Sequence, residues 1–325
     1  LRYPAALKEA AARLKEQVDY HIFVQYLFFR QWDALRKYAG GRGIRIIGDM
    51  PIYMAPDSAD AWVEHDILDR ERRVAGCPPD YFSATGQLWG NPLYDWEKLK
   101  ETEYAWWMRR IAHQLSLYDD LRIDHFRGFE AYWAIPAGAK TAESGQWLPG
   151  PGIDFFRRLK KAIGDPPLIA EDLGYLTPEV FELLRETGFP GLKVLHFAFT
   201  PGGESIYLPH RYEKNCVVYT GTHDNDTTVG WYRGLAKDEL AFLDAYLDGV
   251  DEERIHWQLI RLAMSSVADV CIFPMQDVLG LPSSARMNRP QTAQGNWRWR
   301  LTADKLDGEL SRKLAGLTEL FGRQR

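Results

Sequence analysis

The stretch Leu121-Arg122-Ile123-Asp124-His125 contains a short apolar run that ends in an acidic and an imidazole side chain. Runs of the same kind recur along the chain, and helical sequence separates them. The others are Ile44–Ile47, Leu168–Ala170, Leu192–Phe199, Val217–Tyr219 and Val270–Phe273. Short β-rich runs that alternate with helices predict a parallel sheet wrapped by helices. Since each run ends in polar or acidic residues, the pattern favours a (β/α)8 TIM barrel, whose functional groups collect at the carboxyl ends of its strands.

The helical segments are rich in strong helix formers, and in the first of them apolar residues recur at spacings of three and four. Gly40, Gly41 and Gly43 follow that first segment, which predicts its end. The predicted helices are Pro4 to about Ala39, Trp96–Ser116, Ile153–Ile163, Thr177–Glu186, Lys237–Ala245, Asp251–Ser266 and Asp304–Leu320.

The number of strand candidates is smaller than a closed barrel requires. Six runs are present, whereas a barrel of this kind has eight strands. The chain starts in a helix, so we expect the first two strands to precede Leu1. Residues 1–325 are therefore interpreted as a catalytic barrel domain that is incomplete at its N-terminus. Two Gly-, Pro- and aromatic-rich segments, residues 50–97 and 128–152, are predicted to be loop or subdomain insertions within it.

The composition excludes several classes of protein. Hydrophobic residues make up 46% of the chain and charged residues 26%, which argues against intrinsic disorder. The net charge of −5 argues against nucleic acid or an anionic membrane as the main partner. The three cysteines, Cys77, Cys216 and Cys271, are widely spaced and form no CxxC motif. They indicate reduced thiols and a cytoplasmic protein.

Three acidic residues follow three different strands: Asp124, Glu171 and Asp224. Cleavage of a glycosidic bond needs a carboxylate that attacks the anomeric carbon and a carboxylic acid that protonates the leaving oxygen. A further carboxylate can stabilise the positive charge of the transition state. Each acid alone is equally typical of a helix N-cap, and Asp-His clusters also bind divalent ions. No metal-ligand spacing on a helix supports the metal interpretation.

Aromatic residues are abundant, with 12 Trp, 16 Tyr and 15 Phe. They indicate either a large core or a carbohydrate cleft, where flat rings pack on sugar faces. The loop Gly76-Cys77-Pro78-Pro79-Asp80-Tyr81-Phe82-Ser83 is stiffened by two prolines and presents two rings. Gln87-Leu88-Trp89-Gly90-Asn91-Pro92 adds another ring and two amides, which suit sugar hydroxyls.

With these motifs together, the chain resembles the 4-α-glucanotransferases of glycoside hydrolase family seventy-seven, which include bacterial amylomaltase and the plant disproportionating enzyme. The similarity runs from about Asp19 to Arg300. It is carried by Gly48–Ile52, Gly76–Ser83, Gly86–Leu93, Arg122–Gly128, Ala170–Gly174, Tyr219–Thr228 and Ala285–Asn288. The resemblance implies an α-amylase-type barrel, of which this chain would supply the third to eighth strands.

The resemblance also implies a role for each matching residue. Asp124 would be the nucleophile, Glu171 the general acid/base and Asp224 the transition-state stabiliser. The implied substrate-binding residues are Arg122 at the nucleophile, His125 for the donor sugar, His223 beside Asp224, Tyr81 and Phe82 over the acceptor, and Asp80, Gln87, Trp89 and Asn288 as secondary contacts. Neither an organic cofactor nor a metal is implied.

The implied reaction is retaining transfer of an α-1,4-glucan segment to the 4-hydroxyl of an acceptor glucan or of glucose. The partners would be α-1,4-glucans and maltooligosaccharides. Two other functions fit the sequence, an α-glucan hydrolase with the same carboxylates and a non-catalytic glucan-binding fragment. Family members carry the first two strands and an inserted subdomain ahead of the point where this chain begins. We therefore expect activity to need that N-terminal portion, on the same polypeptide or on a companion chain.

Overall fold

The computed structural model describes residues 2–69, 71–79, 83–290, 292 and 294–324. The strands of these residues are, in chain order, β1 (Ile47–Met50), β2 (Val74–Cys77), β3 (Gln87–Pro92), β4 (Asp120–Ile123), β5 (Ala131–Ile135), β6 (Gln146–Pro149), β7 (Leu168–Ala170), β8 (Gly191–Val194), β9 (Cys216–Tyr219) and β10 (Val270–Ile272). The α-helices are α1 (Pro4–Arg13), α2 (Lys15–Gly40), α3 (Ala59–Val63), α4 (Trp96–Glu101), α5 (Ala105–Leu117), α6 (Gly152–Ile163), α7 (Pro178–Thr187), α8 (Thr228–Arg233), α9 (Lys237–Leu247), α10 (Ile255–Ser265), α11 (Met275–Val278) and α12 (Gly308–Leu320). Short 3-10 helices cover His65–Ile67, Phe126–Phe129, Leu195–Phe197, Pro209–Arg211, Ser283–Ala285 and Ala303–Lys305.

The parallel strands follow one another in chain order. They pair as β1-β4-β7 and as β8-β9-β10, and every pairing in these two groups is parallel. The two groups meet where the Ala170 N–H donates to the Pro190 carbonyl at 2.9 Å. Beside it, the Leu192 N–H donates to Asp172 Oδ1 at 2.5 Å. The predicted α/β class with a TIM-barrel-like parallel sheet is therefore confirmed.

The bounds of β1 differ from the prediction, because this strand occupies residues 47–50 instead of 44–47. Its ladder begins only where Ile47 faces Asp120, the first residue of β4. Ahead of that point, Arg45 pairs with Asp120 and the Ile46 N–H donates to Asp119 Oδ2 at 2.8 Å. The first residues of the predicted apolar run thus precede the strand, and Asp119 and Asp120 hold them beside β4.

Some predicted helices are interrupted. The first divides at Leu14 into α1 and α2. The second divides into α4 and α5, where Glu103 and Tyr104 adopt left-handed backbone angles. The strand predicted over Leu192–Phe199 is also shorter in the structure, since β8 ends at Val194 and a 3-10 turn follows.

Residues 50–97 and 128–152 contribute to one antiparallel sheet, in the order β3-β2-β5-β6. In its centre, β2 pairs with β5 through Val74–Ile135, Ala75–Ala134 and Gly76–Trp133. The sequence pattern of these segments predicted mostly loop. Pairing across the two segments supplies the hydrogen bonds that each of them lacks alone.

Many of the aromatic side chains belong to the core. Trp107 is fully buried, and its ring lies 5.5 Å from Phe155 and 5.4 Å from Phe129. Trp96 stacks on the same Trp107 ring at 6.0 Å. This cluster fills the space between helices α4 to α6 and the β1-β4-β7 sheet. Packing accounts for these rings without a ligand.

No α-helix within the described part of the chain is long and apolar enough to cross a membrane.

We predict that Gly48→Ala destabilises the fold. A Cβ at Gly48 in β1 would lie inside the Tyr118 ring, which is held by Trp32 at 5.6 Å. Overpacking of this kind lowers the free energy of unfolding by about 1–3 kcal/mol. Denaturant unfolding of the protein measures the change. Gly40→Ala is the matched control, since among the described residues no atom outside its chain neighbours and its own helix backbone lies within 4 Å of the added Cβ. Equal unfolding free energies for the two variants would contradict the packing at Gly48.

Candidate active site

The ladders of the parallel strands continue into the acidic residues that follow them. The Asp124 N–H donates to the Met50 carbonyl at 3.0 Å, and the Glu171 N–H donates to the Ile123 carbonyl at 3.0 Å. Each acid is therefore fixed by the strand next to it. Because these strands are parallel, the acids emerge at the same edge of the sheet.

Arg122 forms the charged centre of this edge. Its side chain is only 10% exposed, and its two terminal nitrogens contact Asp49 Oδ2 at 2.5 Å and Asp124 Oδ1 at 2.9 Å. The register explains both contacts. Asp49 faces Arg122 across the β1–β4 ladder, and Asp124 lies two residues further along the same direction, so all three point to one side.

The electrostatics of Asp124 show that other carboxylates lie close by. Burial raises the pKa of Asp124, and the Arg122 charge opposes that rise. The negative charges of Asp49 and Asp224 raise the same pKa further. Arg122 therefore favours the ionised form of Asp124 in a crowded acidic site.

Glu171 lies against the backbone that follows Asp124. Its Oε2 accepts from the His125 N–H at 2.6 Å and its Oε1 from the Leu173 N–H at 3.1 Å. Burial raises the pKa of Glu171 well above its usual range, and the Asp124 charge adds to the rise. Since no guanidinium bonds to Glu171 among the described residues, Glu171 retains its proton more readily than Asp124.

His125 joins the strand edge to the antiparallel sheet. Its backbone is left-handed, with φ at 56°, and its ring packs edge-on against Trp89 at 4.9 Å. Burial lowers the pKa of His125 to about 3, so the ring is neutral. Its Nε2 has no hydrogen-bond partner within the described residues. Gln87 Oε1 accepts from Trp89 Nε1 at 3.1 Å, which places Gln87 in the same group.

Asp224 is held by the segment that follows β10. Asn288 Nδ2 donates to Asp224 Oδ1 at 2.6 Å, and Arg286 donates to the Asp224 carbonyl at 2.5 Å. The neighbouring His223 Nε2 lies 3.5 Å from Asp224 Oδ1. Asn288, a predicted secondary sugar contact, therefore lies directly against Asp224.

A cavity of about 480 Å³ opens beside these groups. Asp49, Arg122, Tyr219, His223 and Trp297 are among the residues that line it. Its other walls come from the start of β1 and from Ile272–Pro274 at the end of β10. The cavity thus lies between β1 and β10, the first and the last of the parallel strands.

The structure brings together most of the predicted site residues. These are Arg122, Asp124, His125 and Glu171 on one side, with Gln87 and Trp89, and His223, Asp224 and Asn288 on the other. Asp80, Tyr81 and Phe82 lie outside the described residues.

Sequence reasoning overlooked Asp49 and Arg286 as site residues. Asp49 had a usable signal, since it ends an apolar run in the same way as Asp124. Arg286 lies in the Ala285–Asn288 stretch that carries the resemblance, but its contact with Asp224 crosses 62 positions of sequence, so no local pattern assigned it a role. Among the described residues, no group of three or more His, Cys, Asp or Glu side chains is arranged to hold a metal ion.

A profile of the family described as 4-alpha-glucanotransferase matches residues 1–306. The chain belongs to this family. The family assignment agrees with the resemblance carried by the motifs around Asp124, Glu171 and Asp224.

Individual 4-alpha-glucanotransferases are closely similar over nearly the whole chain. The protein of that name from Synechocystis sp. is 56% identical over 99% of this chain and 66% of its own length. The one from Thermus thermophilus is 50% identical over 98% of this chain and 66% of its own length. The amylomaltase from Streptococcus agalactiae, solved in complex with acarbose, superposes with a TM-score of 0.97 at 41% identity. That superposition covers 100% of this chain and 67% of the other. The chain thus spans about two thirds of the length of these relatives.

We predict that Arg122→Met raises the pKa of Asp124 and destabilises the fold. The substitution leaves Asp49 and Asp124 as neighbouring carboxylates without their shared cation. The guanidinium is buried, but the Asp49 and Asp124 side chains are 45% and 43% exposed. The free energy of unfolding should therefore fall by more than the about 0–1 kcal/mol of an exposed pair and by less than the about 3–5 kcal/mol of a fully buried one. Carbon-13 NMR titration of the aspartate carboxyls measures the pKa, and denaturant unfolding measures stability.

Arg45→Met is the matched control for this variant. It removes an arginine–aspartate pair between the same two strands at their exposed ends, where the arginine side chain is 45% exposed. Exposed pairs contribute only about 0–1 kcal/mol. A pKa of Asp124 that stays constant in Arg122→Met would contradict the central role of Arg122.

Proposed function

We propose that the chain carries the catalytic groups of a 4-α-glucanotransferase that acts on α-1,4-glucans by a retaining double displacement. The observation that carries the proposal is the pair Asp124 and Glu171. Arg122 favours the ionised carboxylate on Asp124, whereas burial and the Asp124 charge favour the protonated acid on Glu171. A glycosidic bond needs one carboxylate of each kind.

In the first step, Asp124 attacks the anomeric carbon and the C1–O bond to the leaving sugar breaks. Glu171 gives its proton to the leaving oxygen, so a glycosyl ester forms on Asp124. In the second step, the 4-hydroxyl of an acceptor glucan or glucose attacks C1 and passes its proton to Glu171. The ester bond to Asp124 breaks, and both carboxyl groups return to their starting forms. Two inversions at C1 give overall retention.

Asp224 is proposed to stabilise the positive charge that develops on the sugar between these two states. It lies close enough to Asp124 for its charge to raise the pKa of that group. His125, Trp89 and Gln87 are proposed to contact the donor sugar, together with His223, Arg122 and Asn288. Asp80, Tyr81 and Phe82 remain proposed contacts on the acceptor side.

Two alternatives use the same residues. An α-glucan hydrolase would pass the glycosyl unit to water, and a glucan-binding fragment would perform no chemistry. Transfer is favoured because the relatives that match nearly the whole chain carry the name 4-alpha-glucanotransferase. The ion pair at Asp124 and the burial of Glu171, which act in opposite directions on the two carboxyl groups, favour an enzyme over a binding fragment.

We further propose that these parallel strands are the third to eighth of an eight-stranded barrel, with residues 50–97 and 128–152 inserted in it. Among the described residues, β1 and β10 each pair on one side only, and the 480 Å³ cavity lies between them. Two strands from an N-terminal portion would close that gap. Helix α2 supports this proposal, because Tyr20, Phe23 and Tyr26 are more than half exposed.

A cytoplasmic location is proposed from the thiols. Cys216 and Cys271 lie in apolar clusters, and burial raises their pKa to about 11 and 12. Such thiols are chemically inert, as is usual for structural cysteines in a reducing compartment.

The product pattern from maltotriose tests the proposed function. The complete enzyme, with its N-terminal portion, is expected to release glucose and to form longer maltooligosaccharides at the same time. Chromatography of the products measures both. Glucose and maltose without any longer product would indicate the hydrolase. No product at all would favour the binding fragment.

We predict that Asp124→Asn in the complete enzyme lowers kcat by several powers of ten. The amide keeps the shape of the side chain but is too weak a nucleophile to form the glycosyl ester. Initial rates with maltotriose measure the loss. Asp120→Asn is the matched control. Asp120 pairs with Arg45 at the start of β4, the end of that strand opposite to Asp124. Comparable kcat values for the two variants would refute the role of Asp124.

We predict that Glu171→Gln affects natural and activated donors unequally. Burial and the Asp124 charge raise the pKa of Glu171 well above its usual range, so Glu171 holds its proton to a higher pH than an ordinary glutamate, and activity with maltotriose is lost as the pH rises through that pKa. In Glu171→Gln, the rate with maltotriose should fall by about 10²–10⁴-fold. Glycosyl-ester formation from α-glucosyl fluoride should change far less and lose its alkaline limb, since fluoride leaves without a proton. Equal losses for both donors would exclude the acid role.

A further inference from the structure

One buried carboxylate fastens both ends of the loop that carries His223 and Asp224. Asp277 Oδ2 accepts from Thr220 Oγ1 at 2.6 Å, immediately before the loop. Asp277 also accepts from the Thr228 N–H at 2.7 Å and from Thr228 Oγ1 at 2.8 Å, immediately after it. Asp277 is 1% exposed. Residues 221–227 are therefore tied at both ends to a single side chain.

The segment that carries Asp277 also holds the middle of the loop. Ser283 Oγ donates to Asp226 Oδ2 at 2.8 Å. Arg286 and Asn288 donate to the backbone and side chain of Asp224. The position of Asp224 thus depends on residues 277–288, which follow the neighbouring strand β10.

The three hydrogen bonds that Asp277 accepts indicate its ionised form, and from that form we infer the tautomer of His196. Thr228 Oγ1 gives its one proton to Asp277, so it accepts in its 3.0 Å contact with His196 Nε2. Nε2 therefore carries the ring proton. Nδ1 has no hydrogen-bond partner in the described part of the chain. Burial lowers the pKa of His196 to about 3, which keeps the ring neutral.

The His196 ring supports the first residue of the loop. Its face stacks on Trp231 at 4.6 Å with an angle of 7° between the planes. A Cβ at Gly221 would lie 2.6 Å from His196 Cε1, so the backbone of Gly221 packs directly against the ring edge. A shift of the ring toward Gly221 would therefore displace the first residue of the loop.

We propose that Asp277 and His196 are positioning residues that hold Asp224 at the distance from the reacting sugar that turnover requires. The consequence for the rate rests on the proposed function, since it assumes that Asp224 acts in turnover. The arrangement of protons in the network does not depend on it. Asp277 acts through the two threonines, and His196 acts through Thr228 and Gly221.

The first test compares kcat and KM in the complete enzyme. Displacement of a catalytic group by about 1 Å lowers the rate by up to about 10²-fold. Asp277→Ala is therefore expected to lower kcat for maltotriose by about 10–100-fold, with KM changed less than about threefold. KM changes little because most of the proposed sugar contacts, among them His125 and Trp89, lie on other elements and only His223 shares the loop. Thr220→Val keeps its shape and removes one hydrogen bond, so a smaller loss of kcat is expected.

Asp95→Ala is the matched control. Its carboxylate also accepts a backbone N–H, that of Lys98 at 3.0 Å, but it caps α4. It should leave kcat within about twofold. An active wild type with unchanged kcat in both Asp277→Ala and Thr220→Val would overturn the positioning role, as would a loss confined to KM. An inactive wild type would instead contradict the proposed function.

The second test needs no activity. Nitrogen-15 NMR of histidine should show His196 protonated at Nε2 in the wild type. In Asp277→Asn, the amide nitrogen would donate to Thr228 Oγ1, whose proton would then be given to His196 Nε2. The ring proton should therefore move to Nδ1. An Nδ1-protonated ring in the wild type, or an unchanged tautomer in Asp277→Asn, would overturn the network.

Discussion

The arrangement of the site depends on the guanidinium of Arg122, which lies buried between Asp49 and Asp124. A buried cation is stable only when carboxylates neutralise it, and neighbouring carboxylates ionise together only when a cation separates them. The buried arginine therefore requires the two carboxylates, and the two carboxylates require the arginine. The β1–β4 register places the three side chains on one face, so the ion pairs also hold the ends of the two strands together. Arg122 forms its ion pair with Asp124 and not with Glu171, which supports the proposed role of Glu171 as the proton carrier.

The two halves of the site are supported in different ways. Asp124 and Glu171 extend parallel ladders, and their backbones bond to the adjacent strands at 3.0 Å. Asp224 lies on a loop beyond β9, and side chains from the segment after β10 hold it. A rigid pair of acids thus faces a third acid whose position depends on buried polar contacts. Through such contacts, buried residues that do not line the site help to set the position of Asp224.

Sequence predicted the part of this structure that depends on local pattern. Apolar runs that end in acids located the parallel strands and the acids Asp124, Glu171 and Asp224 near one edge. The start of β1 was wrong by three residues, since hydrophobicity does not show where the partner strand begins. The antiparallel sheet was not predicted, because its central pairing joins Val74 to Ile135. The contact between Asn288 and Asp224 crosses 64 positions and leaves no local signal.

The central claim is that Asp124 is the carboxylate that bonds covalently to the sugar while Glu171 moves the proton. A fluorinated glycosyl donor that slows the second step more than the first will accumulate the ester in the complete enzyme. Mass spectrometry of proteolytic peptides then identifies the modified residue. The account predicts a single glycosyl group on Asp124. A label on Asp49, Glu171 or Asp224 would contradict it, as would turnover of the donor without any covalent label.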